Sequence, residues 1–289
     1  MIFGVDTASV ARNKRIDWAA AASAGIAFAF LRTNYGDQQD TMFAREWPRI
    51  TAAGLVRGGY LYLRHPRLDL GVKTAPTPES QARAMLDTLG AYLPGDLPPA
   101  IDVEFSGRGR VDTGLTAGQL LGRVRAAVAL VRTELGVWPL LYTSARVWRD
   151  DLDNLNAPEL AECALWLARY YVPKGPACLG GPMFGQMPWP PVPPPWGDQD
   201  NAWVHQYQGD ATGCPGFPTG NVDMNRFKLL GPDGARVRWV QERLGIGVDG
   251  ELDDYTAQAI KDFQAARGLL PDGVVGPRTF AYLAWQKPA

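Results

Sequence analysis

Short apolar runs alternate with amphipathic segments from residue 1 to about residue 228. Apolar runs between turn residues predict buried strands, and apolar residues spaced three or four positions apart predict helices. This alternation is typical of a parallel sheet built from βα units. The predicted strands cover residues 2–5, 28–32, 58–63, 100–105, 140–143, 164–168 and 202–208. The predicted helices cover residues 17–24, 43–53, 79–93, 116–135 and 145–151, with Thr116 as an N-cap and Gly136 as a C-terminal stop.

A different pattern follows the turn-forming residues 231–234 and repeats itself once. In each copy an Asp-Gly pair, which begins at Asp249 or Asp272, precedes a threonine seven residues later, Thr256 or Thr279. An amphipathic helix follows each time. The spacing lacks the ligand series of a calcium-binding EF-hand, so the Asp-Gly pairs are interpreted as turns that start helices. The segment predicts a compact bundle of about three helices.

Two carboxylates, Asp102 and Glu104, lie one residue apart in an apolar run that favours a strand. On a strand both side chains point to the same face, with Cα atoms about 7 Å apart. Burial and like charge then raise the pKa of one acid, which is an arrangement suited to glycosidic bond cleavage. Asp6 and Asp223 also close short apolar runs. Three strands with acids at their C-terminal ends predict a barrel whose active site lies at one mouth.

The predicted fold class is α/β, with an irregular TIM-like β/α barrel followed by a small all-α, three-helix domain. The boundary is placed between residues 1–230 and residues 231–289. A plainer interpretation of the acids stays open at this point. Asp102 and Glu104 would be solvated at the edge of the fold, and Asp6 and Asp223 would cap loops.

Composition narrows the functional classes. The formal net charge of -1 gives no electrostatic reason to expect a nucleic-acid partner, and no apolar stretch has transmembrane length. The N-terminal residues lack the pattern of a signal peptide. Three cysteines, Cys163, Cys178 and Cys214, imply no disulfide framework or metal-ligand spacing, and only His65 and His205 are present as histidines. A metal site is not expected, no cofactor is implied, and a Cys/His peptidase ranks below the carboxylate interpretation.

Residues 180–196 fit neither regular pattern, because their many prolines prevent a long helix or a central strand. We interpret this Pro-rich segment as an irregular loop held by hydrophobic contacts. An alternative role as a rim of the substrate cleft, with Trp189 and Trp196 stacking on sugars, stays open.

The ordered motifs of residues 1–228 resemble the lysozymes of glycoside hydrolase family 25, which are N-acetylmuramidases common among phage endolysins and bacterial autolysins. The matching motifs are Gly4-Val5-Asp6, Ile16-Asp17-Trp18, residues 25–32 with Tyr35-Gly36, Gly58-Gly59-Tyr60, Asp102-Val103-Glu104, residues 141–144 with Trp148, residues 165–170, and Trp203 through Gln206-Tyr207 to residues 222–225. The Pro-rich segment is longer than the family pattern requires. Residues 235–285 resemble a three-helix peptidoglycan-binding domain, with Val240-Gln241 and residues 261–264 in the expected helices.

The resemblance implies that Glu104 is the general acid and that Asp102, Asp6 and Asp223 assist in cleaving the β-1,4 bond between N-acetylmuramic acid and N-acetylglucosamine. Asp102 would stay ionised and would steady positive charge or orient the 2-acetamido group of the substrate. Three tyrosines at strand ends are expected to contact the sugar, although such aromatics also serve as core residues. They are Tyr62, Tyr142 and Tyr170.

The resemblance further implies a phage endolysin that binds bacterial peptidoglycan, with an injected or tail-associated lysin as the alternative setting. We expect a monomer that does not insert into the membrane. It would be made in the host cytoplasm and would act on the cell wall after release. The alternatives are a non-catalytic wall-binding protein and a related barrel glycosidase that acts on chitin. Removal of residues 231–289 is expected to weaken wall binding and to leave the cleavage of short soluble glycans.

Overall fold

The computed structural model describes residues 1–11, 15–177, 179–180, 187–197 and 202–286. Within these residues nine strands form one sheet, and all but the short β3 close into a barrel because β1 pairs with both β2 and β9. The strands are β1 Ile2–Thr7, β2 Ile26–Tyr35, β3 Gln38–Gln39, β4 Val56–Tyr62, β5 Ala100–Asp102, β6 Leu140–Thr143, β7 Leu165–Ala168, β8 Ala202–Thr212 and β9 Asn221–Phe227. The helices are α1 Trp18–Ser23, α2 Phe43–Ala52, α3 Pro78–Leu89, α4 Arg110–Thr113, α5 Ala117–Leu135, α6 Ala145–Asp150, α7 Ala235–Leu244, α8 Asp254–Ala265 and α9 Pro277–Ala284. The predicted α/β barrel with a small helical region after it is confirmed.

The longest helix follows its sequence signals closely. α5 begins after Thr116, whose side chain accepts from the backbone N–H of Gln119 while the Gln119 side chain accepts from the Thr116 N–H. It ends at Gly136, which adopts a left-handed conformation that a residue without Cβ tolerates well. None of the described helices is long and apolar enough to cross a membrane.

The last strand of the barrel runs in the direction opposite to the others. β9 is antiparallel to both β8 and β1, whereas the other neighbouring barrel strands pair in parallel. Asp223 therefore lies near the start of β9, and the prediction that it ends its strand was wrong. Because β9 is reversed, its start reaches the same mouth of the barrel, where Asp223 lies opposite Asp6.

The strand that carries the paired acids is shorter than predicted. β5 ends at Asp102, and Glu104 lies in the loop that follows. The backbone N–H of Val103 still donates to the Tyr142 carbonyl of β6 at 2.8 Å, which holds the start of this loop against the barrel. The fold therefore brings Glu104 to the mouth through a loop and not through the regular strand geometry that the sequence suggested.

Aromatic side chains fill the inside of the barrel. The ring of Phe30 stacks on Trp166 with centroids 4.3 Å apart. Two strand glycines leave room for these rings, because a Cβ on Gly4 would lie 2.3 Å from Phe28 and a Cβ on Gly58 would lie 2.4 Å from Phe30. The interior is therefore a packed core below the mouth, and the chemistry is confined to the rim.

Each Asp-Gly turn of the repeat folds around a buried glutamine. The Gln241 side chain donates to Asp249 Oδ1 and Thr256 Oγ1 and accepts from the Gly250 N–H. Gln264 makes the equivalent bonds with Asp272, Thr279 and Gly273 in the second copy. The interpretation of these pairs as turns that start helices is thus supported, and the described residues contain no cluster of three or more His, Cys, Asp or Glu that could hold a metal ion.

The three C-terminal helices cover the end of the barrel opposite to the acids. Phe280 of α9 lies against Trp203 at the start of β8 and Phe227 at the end of β9, with centroids 4.6 and 5.7 Å away. These three rings are almost fully buried. At the periphery the Arg278 guanidinium donates to the Gly54 carbonyl. The Trp285 indole donates to the backbone carbonyl of Asp96, in the segment before β5. The helical region is packed onto the barrel as one continuous apolar core.

Candidate active site

Four carboxyl groups meet at one mouth of the barrel, as the sequence predicts. Asp6 is in β1, Asp102 ends β5, Glu104 follows in the loop, and Asp223 is near the start of β9. Asp6 and Asp102 are 6% and 5% exposed, so the barrel wall removes most of their contact with water. The burial of Asp102 therefore excludes the plainer interpretation that the Asp102–Glu104 pair is solvated at the edge of the fold.

Two side-chain amides hold Asp6 in place. Asn225 Nδ2 and Gln206 Nε2 both donate to Asp6 Oδ1, at 2.7 and 2.8 Å. Gln206 Nε2 also lies 3.4 Å from Asp223 Oδ2, so one amide bridges two of the acids. Bonds of this kind favour the ionised carboxylate and partly offset its burial.

Aromatic donors fix the orientation of these two amides. The Trp166 indole donates to Asn225 Oδ1 at 2.8 Å, and the hydroxyls of Tyr142 and Tyr170 donate to Gln206 Oε1 at 2.7 and 2.9 Å. Since each amide oxygen receives a donor, each amide nitrogen must face the acids. We name Gln206 and Asn225 the amide clamp.

Burial dominates the titration of the four acids. Burial first, and then the charge of Asp223, raises the pKa of Glu104 to about 7, while the charge of Arg146 lowers it. Burial raises the pKa of Asp223 to about 6, against a backbone hydrogen bond from Asp210 that lowers it. Burial and neighbouring carboxylates also raise the pKa values of Asp6 and Asp102 well above their usual range. The cluster therefore retains protons near neutral pH.

The environment of Asp102 differs from the sequence expectation that it stays ionised. Among the described residues its Oδ1 is buried without a hydrogen-bond partner, and the charges of Glu104 and Asp6 add to the effect of burial. Arg32 is the cation that lowers its pKa. The Arg32 guanidinium is held by Asp40 at 2.7 Å, so its position near the acids is fixed. Burial and the neighbouring carboxylates thus favour the protonated form of Asp102 in the free protein.

The three predicted sugar-contacting tyrosines lie at the mouth in different settings. Tyr142 is 7% exposed and Tyr170 is 54% exposed, and both line a cavity of about 360 Å³ beside Glu104. Tyr62 lines a cavity of about 20 Å³ on the other side of Glu104. Their contact with a sugar stays a prediction, but the hydroxyls of Tyr142 and Tyr170 already serve the amide clamp.

Both histidines are unsuited to act as a catalytic base. Burial lowers the pKa of His65 and of His205 to about 3. The Arg226 guanidinium donates to His205 Nδ1 at 2.9 Å, so His205 Nε2 must donate to the Arg169 carbonyl 2.8 Å away. Cys178 lies outside the described residues, and burial raises the pKa of Cys163 and of Cys214.

The described part of the Pro-rich segment is fixed to the barrel. Arg226 donates to the carbonyls of Met187 and Pro188 at 3.1 and 2.7 Å, and its guanidinium lies 4.4 Å from the Trp189 ring centre. Trp196 is buried, and its indole donates to the Cys163 carbonyl. This supports the interpretation of a loop held by hydrophobic contacts, and it makes Trp196 a core residue instead of a sugar platform.

Sequence reasoning assigned no role to Gln206, Asn225 or Arg32, although all three lie in its quoted motifs. The available signal was a polar residue at a buried position of an otherwise apolar strand. Such residues need satisfied partners, and the partners here are the acids themselves or the groups around them.

Replacing the clamp amide by a carboxylate tests its positioning role. Gln206→Glu keeps the shape but loses the donor to Asp6 and adds a negative charge. We expect kcat/KM of the enzyme to fall about 10–100-fold, from the loss of one or two charge-assisted hydrogen bonds. The acid limb of the pH profile is expected to move to higher pH, because the new charge raises the pKa of Asp6 further. An unchanged limb with an unchanged rate would contradict the assignment.

Comparison with known proteins agrees with this geometry. The family model for glycosyl hydrolases family 25 matches residues 6–212, and a model for a putative peptidoglycan-binding domain matches residues 233–283. A curated relative from Kitasatospora aureofaciens, described as an uncharacterized protein in the bpoA1 3′ region, is 46% identical over 43 residues, which are 15% of this chain and 36% of the relative. The match thus spans about a third of that relative.

Several solved structures share the fold. The bacterial lysozyme from Streptomyces coelicolor is 24% identical with a TM-score of 0.60, and the alignment covers 78% of this chain and 92% of that one. A family GH25 lysozyme from Aspergillus fumigatus is 23% identical with a TM-score of 0.61, covering 78% and 93%. The catalytic domain of endolysin ply40 from bacteriophage P40 is 16% identical with a TM-score of 0.52, covering 79% and 93%. Because the family model spans more than half of the sequence, the chain belongs to glycosyl hydrolases family 25 and is a glycoside hydrolase.

Proposed function

We propose that the protein is a peptidoglycan hydrolase that cleaves the β-1,4 bond between N-acetylmuramic acid and N-acetylglucosamine. The observation that carries the proposal is the cluster of four acids at an open mouth, with the pKa of Glu104 raised to about 7. A carboxylic acid that keeps its proton near neutral pH can protonate the oxygen of the leaving sugar. The matched peptidoglycan-binding model in the same chain supports this polymer as the substrate.

Glu104 acts as the general acid because it lies between the two cavities of the mouth and lines both. Asp102, Asp6 and Asp223 supply negative charge around the oxocarbenium-like transition state. Burial favours the protonated forms of Asp6 and Asp102 in the free enzyme, whereas Asp223, with a pKa of about 6, is mostly ionised at neutral pH. The developing positive charge on the sugar favours the ionised forms of all three. Asp102 either steadies this charge directly or orients the 2-acetamido group of the substrate.

The test is product analysis of purified peptidoglycan after digestion and borohydride reduction. Products that end in reduced N-acetylmuramic acid support the proposal, provided that a Glu104→Gln preparation purified in the same way does not form them. Products that end in reduced N-acetylglucosamine would overturn the bond assignment. Cleavage of chitin oligomers alone would favour the chitin-directed alternative, and wall binding without any product would favour a non-catalytic binder.

The proposal extends to the biological setting. The protein acts as a monomeric phage endolysin that reaches the wall from the host cytoplasm, without inserting into the membrane or binding nucleic acid. The likeness to a phage endolysin catalytic domain is in keeping with this role. Expression in a bacterial host with and without a membrane-permeabilising agent tests the route to the wall, and we expect lysis only after permeabilisation. Sedimentation analysis tests the monomeric state.

A further inference from the structure

The two cavities beside Glu104 differ in size. The larger, of about 360 Å³, lies between the start of α6 and the end of β7, with Pro190 at its rim. The smaller, of about 20 Å³, lies beside Tyr62 and Arg67. Of these two, the larger one has room for a substituent of a sugar chain.

The larger cavity is lined by two arginines with available charge, Arg146 and Arg169. The Arg146 side chain is 58% exposed, and the ion pair that the described residues offer it, with Asp151, is 3.9 Å long. Arg169 lies over the Tyr171 ring at 5.3 Å and has no carboxylate of the described residues within 4.0 Å. By contrast, Arg67 in the smaller cavity is bound by Asp69 at 2.6 Å.

The positive charge of these arginines opposes the repulsion between the acids and an anionic substrate. The acid cluster keeps negative charge at neutral pH, because Asp223 has a pKa of about 6. This charge repels an approaching anionic substrate, and the stem peptides of peptidoglycan carry free carboxylates. Positive charge at the rim of the same cleft offsets this repulsion and steers the anion to one side of the acids. Arg146 is close enough to the acids for this role, because its charge lowers the pKa of Glu104.

We propose that Arg146 and Arg169 form a subsite for a carboxylate of the stem peptide, so that the enzyme prefers peptidoglycan with free peptide carboxylates over its neutralised form. The inference rests on the proposed peptidoglycan hydrolase activity. Guanidinium groups suit this role because their planar set of donors matches a carboxylate bidentately. Since the rim is open to solvent, the preference should weaken as salt is added.

The experiment compares kcat/KM on two forms of the same soluble glycan fragments. In one form the stem-peptide carboxylates are free, and in the other they are amidated with carbodiimide and ammonia. We expect the wild type to prefer the free form about fivefold or more, and Arg146→Gln/Arg169→Gln to prefer it less than twofold. The matched control is Arg149→Gln, one turn further along α6, where the exposed arginine is paired with its neighbour Asp150. This control should keep the wild-type preference.

The outcomes separate this inference from the function on which it rests. If the wild type cleaves neither form, the proposed function fails. If the wild type cleaves both forms equally, or if the double variant keeps the full preference, only the subsite is overturned. A third arm measures the same preference, free over amidated, on whole walls with and without their phosphate polymers. A preference that vanishes when phosphate polymers are removed would assign the subsite to phosphate and would overturn the carboxylate.

Discussion

Glu104→Gln is expected to lower kcat on peptidoglycan by about 10²–10⁴-fold, the usual contribution of a general acid. The amide has nearly the same shape as the acid but has no acidic proton to give. KM should change little, because the cavities on both sides keep their walls. Steady-state kinetics on soluble glycan fragments measures both constants, and a variant that retains more than a tenth of the wild-type kcat would remove Glu104 from this role.

The pH profile gives an independent readout of the same residue. Activity should fall as the pH rises through about 7, where Glu104 loses its proton. Because the charge of Asp223 helps to raise this pKa, Asp223→Asn should move the alkaline limb to lower pH. An alkaline limb that stays in place in Asp223→Asn would show that another group titrates there.

Glu104→Gln should lower activity but raise stability at alkaline pH. A carboxyl with a raised pKa in the folded state stabilises the fold fully below its unfolded pKa of about 4.5, and this stabilisation is lost as the pH rises through about 7. Glutamine does not titrate, so Glu104→Gln should be more stable than the wild type above pH 7, by on the order of 1–3 kcal/mol. Thermal unfolding at pH 5 and pH 8 checks the sign.

Removal of residues 231–289 is expected to unfold or severely destabilise the barrel, and not merely to weaken wall binding as the sequence alone suggested. The deletion would expose Trp203 and Phe227 at the end of the barrel, which are 1% and 2% exposed in the intact protein. Cleavage of short soluble glycans should therefore be lost together with wall binding. Circular dichroism and activity on soluble fragments measure the two effects.

Single substitutions test whether the helical region stabilises the barrel through packing. Phe280→Ala removes the ring that contacts Trp203 and Phe227, and should cost about 3–5 kcal/mol of unfolding free energy in one cooperative transition. Leu270→Ala changes a side chain of the same region that is 75% exposed and should have little effect. A truncated barrel with a native spectrum and full activity on soluble glycans would show that the two parts fold separately.

The sequence was sufficient for the features that depend on local pattern. Thr116 and Gly136 mark the ends of α5 because capping and left-handed geometry are properties of single residues. The Asp-Gly repeat was interpreted as turns for the same reason. The convergence of the four acids also followed, because β1 and β5 are parallel barrel strands and the family resemblance placed Asp223 with them.

The remaining features depend on contacts between distant parts of the chain. The reversal of β9 depends on its pairing with β1, and these strands are more than 200 residues apart. The amide clamp needs Gln206 and Asn225 beside Asp6, which only barrel closure provides. The aromatic residues of α9 have the spacing of an ordinary helix core, so nothing in their pattern indicated that Phe280 packs on the barrel.

The docking of the helical region also fixes the direction in which the enzyme faces. A binding module on a flexible linker would raise the local concentration of every bond within its reach. Here the module is set against the far end of the barrel, where Ile2 lies beside Gly276, and Asp6 is four residues further along β1, or about 13 Å away. If the module holds the wall, the mouth of the barrel therefore faces away from the attachment at a fixed orientation, so that orientation, and not the reach of a linker, selects the bonds that come near the acids.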